Sequence, residues 1–245
     1  LYPEWLPGNH APRGEIEKIT GLEFTAKGEK LAWVRDDVDV FAFHLTIPEN
    51  VSTITAKFQF VSATTSSHGR IVMAPAMLNL RWHQVSLYPA GYYVRQIPVE
   101  ALVDSPVFAG QFFQTHQLTS RVHLNIVADD AKFLKPKKAQ LAPHIKLVKE
   151  AEALFGSHPY DRYDFLLALT EDMGGIGLEH HRSSENGVDR EYFTGWDSGP
   201  GRRNLLPHEM THAWNGKYRR PAGMWTPDFR QPMRDSLLWV YEGQT

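Results

Sequence analysis

The hydrophobic pattern of this chain changes near residue 130, and this change limits the folds that the chain can adopt. Before that point, apolar residues recur at every second position in residues 40–47, 54–61 and 121–126. An alternation with period two is typical of strands with one covered face, as in antiparallel sheets. Glycines and prolines between these segments supply the turns. We therefore predict an antiparallel, β-sandwich-like domain over residues 1–130.

A different pattern follows in residues 131–245. Residues 136–155 carry apolar side chains at helical spacing, and Gly156 ends that pattern. The run 165–169 is apolar throughout, which suits a strand buried on both faces. The glycine-rich segment 174–181 is predicted to be an edge strand, since glycines let another backbone approach closely. The fold class predicted for the whole chain is therefore α+β.

The composition excludes several classes of protein. The 26 lysines and arginines nearly balance the 28 aspartates and glutamates, so the net charge is −2 and the basic excess typical of nucleic-acid binders is absent. A chain with no cysteine has neither disulfides nor thiolate metal sites. No apolar run reaches the ~20 residues that a membrane helix needs. We expect no nucleic-acid partner and no membrane span.

The most informative segment is His208-Glu-Met-Thr-His212. On a helix, residues four apart lie on the same face, one turn from each other, so both imidazoles can bind one zinc ion at ~2.0–2.1 Å. Glu209 lies between them, where it can reach a water on the zinc without being a ligand itself. Pro207 fits the first turn of this helix if Asn204 is the N-cap, because the first amides have no intrahelical partner.

A catalytic zinc needs a third protein ligand and one open position. The pattern HExxHxxGxxH is excluded, since Tyr218 stands where it requires a histidine. Glu242 lies in a helical, apolar context, far enough along the chain for a loop and a return helix. Taken alone it is an ordinary solvated glutamate, and its pairing with the two histidines favours it as the third ligand. The singly scattered histidines, His10 among them, are expected to be surface or hydrogen-bonded residues.

Several motifs together resemble the glycyl aminopeptidase family of gluzincin zinc metallopeptidases. They are HExxHxWNxK in residues 208–217, WVxEGxT in residues 239–245 and Gly-x-Glu-His in residues 177–180. The opening Tyr2-Pro-x-Trp-Leu-Pro-Gly8, with Arg13 behind it, is similar to the N-terminal β domain of that family. The resemblance runs over nearly the whole chain. It implies that residues 131–245 are the first part of a thermolysin-like α/β catalytic domain.

The resemblance also implies roles for individual residues. Zinc is the implied cofactor, Glu209 is the implied catalytic base, and the implied zinc ligands are His208, His212 and Glu242. A peptide is the implied substrate. Glu179 matches the position that holds its free amino group, and Gly177 and His180 of the same motif are expected to bind the substrate beside it. A polar surface turn is the alternative interpretation of this last segment.

The function expected from these residues is that of a zinc-dependent aminopeptidase, with glycine or alanine as first residue suggested by the resemblance only. A zinc endopeptidase, in which Glu179 binds no terminus, is one alternative. A non-catalytic peptide-binding module on the same scaffold is another, although such a module has no physical need for Glu209.

The ends of the chain suggest that it is a piece of a longer protein. The chain begins with Leu1 rather than methionine, and residues 236–245 resemble the start of a helix. The family that it resembles continues with further helices and a tyrosine that stabilises the transition state. We therefore expect this piece alone to be weakly active or inactive. Members of the family are often exported, which favours export or a periplasmic location.

Overall fold

The computed structural model describes residues 1–6, 8–91, 104–199, 203–226 and 228–245. Pro7, the second proline of the opening motif, lies outside the described residues. Mixed secondary structure confirms the α+β class: antiparallel strand pairs dominate the first part of the chain, and a mixed sheet flanked by helices follows.

The N-terminal part is built from short antiparallel strands. They are β1 Ile19–Ala26, β2 Glu29–Leu31, β3 Trp33–Arg35, β4 Phe43–Leu45, β5 Thr55–Phe60, β6 Met77–Leu80 and β7 Val107–Gly110. β1 lies between β2 and β5 in a three-stranded sheet, while β3 pairs with β4 and β6 pairs with β7. The strand predicted over 40–47 is confirmed but shorter, because Asp39 forms a turn in which its side chain and carbonyl accept bonds from Phe41 and Ala42.

A five-stranded mixed sheet forms the second part of the fold, in the order β11-β12-β10-β9-β8. Its strands are β8 Phe112–Gln117, β9 Val122–Ala128, β10 Tyr163–Leu169, β11 Ile176–Glu179 and β12 Ser183–Val188. β9, β10 and β12 are parallel, whereas the two edge strands are antiparallel to their neighbours. The central β10 contains the apolar run 165–169, in which Phe165, Leu167 and Leu169 are fully buried. The buried strand and the edge position of β11 were both predicted from the sequence.

The domain boundary predicted near residue 130 does not coincide with a boundary between sheets. β9 pairs in parallel with β10 from Tyr163↔Val122 to Leu169↔Ala128, so β8 and β9 belong to the later sheet. By sheet membership the second region begins at Phe112. The alternation in residues 121–126 is the same whether a strand pairs forwards or backwards along the chain, so periodicity could not show to which sheet β9 belongs. The division of the chain into domains near residue 130 stays a prediction.

Two α-helices in the described residues connect and cover this sheet. α1 (Lys138–Phe155) crosses over between the parallel strands β9 and β10, and it ends at Gly156, whose φ of 63° is left-handed. α2 (Leu205–Thr211) packs on β11 and β12 and contributes Leu206 and Met210 to the buried core. Residues Trp239–Gly243 form a short π-helical turn.

The other helical segments in the described part of the chain are short 3₁₀ turns at Ile16–Lys18, Ser66–His68, Trp82–Val85, Ala131–Phe133, Trp196–Ser198 and Ala222–Met224. None of the helices in the described ranges combines the length and the apolar character that a membrane crossing requires.

Candidate metal centre

The short helix α2 carries the HExxH segment. Leu206 and Met210 are buried in the core, which fixes the rotation of the helix about its axis. Pro207 falls in the first turn, as predicted, since α2 begins at Leu205. Asn204 is the N-cap, as predicted; its carbonyl accepts a bond from His208 N at 3.1 Å, while its side chain makes no capping bond.

The three predicted metal ligands, His208, His212 and Glu242, lie close together in the structure. His208 Nε2 lies 3.1 Å from His212 Nε2 and 3.1 Å from Glu242 Oε2, and His212 Nε2 lies 3.4 Å from the same oxygen. An ion with tetrahedral bonds of about 2.0–2.1 Å would place its ligand atoms about 3.3–3.4 Å apart. The triangle of two imidazole nitrogens and one carboxylate oxygen therefore has the size that a tetrahedral zinc ion requires. We call these three residues the ligand triad.

A hydrogen bond sets the tautomer of His212. Its Nδ1–H donates to the Asn215 carbonyl at 3.0 Å, so a neutral ring directs the lone pair of Nε2 towards the triad. The Asn215 amide in turn donates to the Val240 carbonyl at 2.9 Å. Val240 belongs to the same turn as Glu242. Asn215 therefore connects His212 to the turn that carries Glu242 and fixes their relative positions.

Glu209 lies beside the triad and is 4% exposed. Its carboxylate rests against the backbone of Gly177 on β11, where a Cβ would approach Glu209 Oε1 to 2.0 Å. Burial raises the pKa of Glu209 to about 8, and the neighbouring Glu179 charge adds to the shift. A carboxylate with a pKa near neutrality can both accept and release a proton, which suits a general base.

Glu179, at the end of β11, also reaches this site. Candidate ligand atoms of Glu179, Glu209 and His212 all lie within 4.8 Å of one another. The Tyr241 hydroxyl donates to Glu179 Oε1, and Lys217 Nζ lies 3.8 Å from the same oxygen. Although burial opposes ionisation, the Lys217 ammonium and His212 hold the pKa of Glu179 below its ordinary value. Glu179 is thus a buried anion facing the triad.

His180, predicted to bind substrate, has both of its ring nitrogens bonded to carboxylates of the protein itself. Its Nδ1 lies 3.0 Å from Asp104 Oδ1, and its Nε2 lies 3.0 Å from Glu185 Oε1. Burial opposes charge on the ring, but the two carboxylates raise the pKa of His180 to about 9. Both ring nitrogens are therefore protonated and engaged. His180 thus forms an ionic link within the protein through both of its ring nitrogens, and its role in substrate binding stays a prediction.

This link is part of a longer chain of buried charges. Glu185 accepts bonds from Asn79 at 2.8 Å and from Arg81 Nε at 3.0 Å, while Asp104 lies 3.8 Å from Lys217 Nζ. Arg81 and Asp104 precede the five-stranded sheet in the sequence, whereas Lys217 follows α2. The alternating charges therefore join the N-terminal part to the residues around Glu179.

Sequence reasoning missed two residues at the triad. His10, expected to be an ordinary surface or hydrogen-bonded histidine, has its Nε2 3.0 Å from Oε1 of the candidate ligand Glu242. Tyr241 stacks on His212 with ring centroids 4.7 Å apart, and it occupies a position that the motif WVxEGxT leaves open. The adjacency of Tyr241 to a candidate ligand was a usable signal. His10 offered none, because nothing in its spacing connects it to residues more than two hundred positions away.

Glu242 is the residue that both His10 and His208 contact. The hydrogen bonds from His10 and His208 hold the pKa of Glu242 far below its ordinary value. The carboxylate is therefore ionised throughout the neutral range. Two imidazole nitrogens and an anion facing one another form a donor set that fits a divalent cation, which would take the place of the His208 hydrogen.

Comparisons with known proteins relate this sequence to a family of peptidases. A family model described as the peptidase M61 N-terminal domain matches residues 1–106, and one described as M61 glycyl aminopeptidase matches residues 202–245. The solved structure of an aminopeptidase N family protein from Idiomarina loihiensis superposes with a TM-score of 0.76 at 18% identity. That match covers 99% of this chain and 47% of the other, so the chain spans about half the length of that neighbour and shares its fold.

No curated protein matches the chain significantly. The two family models nevertheless cover both the opening segment, which contains His10, and the whole ligand triad. Their ranges together make up more than half of the sequence, and the fold of the solved neighbour extends across the rest. The chain therefore belongs to the M61 glycyl aminopeptidase family.

Proposed function

We propose that this chain is the zinc-binding part of a metallopeptidase that removes the first residue from peptides. The observation that carries the proposal is the convergence of the ligand triad with two buried carboxylates, Glu209 and Glu179. The same proposal includes export from the cytoplasm and weak or no activity of these residues on their own, as the family resemblance implies.

The donor set accounts for the chemistry. When bound by the ligand triad, zinc would supply a Lewis acid and lower the pKa of its bound water to about 7. Glu209 accepts the proton from the attacking water and then delivers it to the leaving amine. Its burial against Gly177 keeps the carboxylate in one orientation for both transfers.

The position of Glu179 supports action at a free N-terminus. β11 is an edge strand, so an extended peptide can add to it through main-chain hydrogen bonds. Glu179 at the end of this strand would pair with the substrate ammonium and fix which peptide bond meets Glu209. Tyr241 and Lys217 both contact Oε1 of this carboxylate and so hold it in place. A preference for glycine or alanine follows only from the family and remains part of the proposal.

A zinc endopeptidase is the second candidate, and the contact between Lys217 and Glu179 favours it. Lys217 Nζ at 3.8 Å already offers Glu179 a cation without any substrate ammonium. Asp104 also lies 3.8 Å from Lys217 Nζ, so one ammonium group is shared by two carboxylates. The negative charge of Glu179 is therefore only partly balanced, and a substrate ammonium can still pair with it. This sharing is why we prefer the aminopeptidase.

The experiment compares two substrates and two variants of the zinc-loaded, full-length protein. A peptide with a free N-terminus should be hydrolysed, and its N-acetylated twin should not; equal hydrolysis of both would select the endopeptidase. Glu209→Gln should retain zinc and lose turnover, whereas Glu150→Gln, an exposed glutamate on α1, should leave both unchanged. Substantial turnover by Glu209→Gln would remove Glu209 from its role, and peptide binding without hydrolysis would leave only a binding module.

A further inference from the structure

The N-terminal segment around Gly8 and His10 forms a wall of the candidate metal centre. Gly8 has a φ of 76°, and a Cβ there would lie 2.3 Å from Leu178 Cδ1 and 3.1 Å from Glu179 Oε2. Asn9 N donates to the Leu6 carbonyl at 3.2 Å, which closes a turn. His10 itself has a φ of 50°, a left-handed conformation that is uncommon outside glycine. The turn therefore packs on β11 and directs the His10 ring at the C-terminal segment.

His10 divides the two oxygens of Glu242 between different partners. His10 Nε2 lies 3.0 Å from Oε1, while Oε2 faces His208 at 3.1 Å and His212 at 3.4 Å. An ionised carboxylate only accepts hydrogen bonds, so His10 Nε2 carries the hydrogen. The His10 ring also meets Tyr241 edge to face, with centroids 5.0 Å apart, and its side chain is only 15% exposed. The imidazole is thus held on two sides.

We propose that His10 is a positioning residue that holds Glu242 as a one-oxygen ligand of the metal. The proposal rests on the zinc site of the proposed function. Glu242 lies on a short π-helical turn and keeps 37% of its side chain exposed, so its own surroundings do not fix the carboxylate. With Oε1 bonded to His10, only Oε2 points at the imidazoles.

Ligation by only one oxygen of Glu242 matters for the chemistry of the site. A catalytic metal needs an open position beside its three protein ligands, and a carboxylate that turned both oxygens to the ion would occupy that position. Residues that hydrogen-bond to ligands orient them, and their loss typically costs about 10–100-fold in metal affinity. On this view the metal centre is incomplete without the N-terminal part of the chain.

The test measures zinc affinity by chelator competition in the full chain, with and without substitution of His10. His10→Asn shortens the side chain, and His10→Phe keeps the edge contact with Tyr241 but removes the N–H donor. The matched control is His44→Asn, because His44 Nε2 also bonds a carboxylate, Asp36 Oδ2 at 2.7 Å, on the exposed β3–β4 hairpin. Thermal unfolding of the metal-free proteins identifies any variant that does not fold.

We expect both His10 variants to bind zinc about 10–100-fold more weakly than the unsubstituted chain, with His44→Asn unchanged. The cobalt(II)-substituted His10 variants should also show a weaker visible absorption band, since higher coordination reduces its intensity. Equal zinc affinity and equal cobalt spectra in a folded His10 variant would overturn this inference alone. An unsubstituted chain that binds no zinc would overturn the inference and the proposed function together.

Discussion

Because His180 is a buried imidazolium, its contribution to the free energy of unfolding should depend on pH. His180 lies between Asp104 and Glu185, each 3.0 Å from a ring nitrogen, and is 7% exposed. Replacing it by glutamine keeps a hydrogen-bonding side chain of similar reach but removes the charge. The substitution His180→Gln therefore isolates the electrostatic part of this link.

The magnitude follows from the pKa of His180, which rises from its ordinary 6.5 to about 9 in the folded protein. A group whose pKa is raised by folding stabilises the folded state fully below its unfolded pKa, and this stabilisation is lost as the pH rises through the folded pKa. At 1.36 kcal/mol per pKa unit, the contribution is about 3 kcal/mol at pH 6 and close to zero at pH 9.5.

The assay is urea unfolding, followed by tryptophan fluorescence, of the unsubstituted protein and of His180→Gln from pH 6 to pH 9.5. We expect the difference in their free energies of unfolding to shrink by about 3 kcal/mol over this range. The control His44→Gln, at a side chain that is 61% exposed, should show no such trend. A difference between the unsubstituted protein and His180→Gln that stays constant across the range would refute the buried imidazolium.

Three further substitutions test the site and the core. Gly177→Ala should retain zinc but lower kcat at least tenfold, because the added Cβ would displace the Glu209 carboxylate 2.0 Å away; zinc content and kinetics together check this. Lys217→Met should cost about 3–5 kcal/mol of stability in urea unfolding, since it leaves Asp104 and Glu179 as buried charges without this partner. Leu167→Ala, at a fully buried position in β10, should cost about 2–5 kcal/mol in the same assay, with zinc affinity unchanged.

Helix α2 and its pair of histidines were predictable because they depend on local geometry. Residues four apart share one face of any α-helix, so the separation of His208 from His212 already determined that both rings point the same way. The close contact of Gly177 with another element followed from the missing side chain. These inferences needed no knowledge of what surrounds the helix.

His10 and His180 were not predictable because their roles depend on tertiary contacts. The His180 ring is bracketed by Asp104 and Glu185, of which one comes from a distant part of the chain. His10 reaches Glu242 only because the first residues pack beside β11. The pairing of β9 with β10 could not be predicted for the same reason, since the periodicity of a strand does not indicate which strand it pairs with.

The proposed function requires that His208, His212 and Glu242 hold one divalent ion. The direct measurement is an anomalous-difference map, recorded at the zinc absorption edge, from crystals of the full chain prepared with equimolar zinc. Our account predicts one peak per chain, at about 2.0–2.2 Å from both Nε2 atoms and from Glu242 Oε2. Zinc bound elsewhere, with the two imidazoles and this carboxylate in contact with no ion, would contradict it.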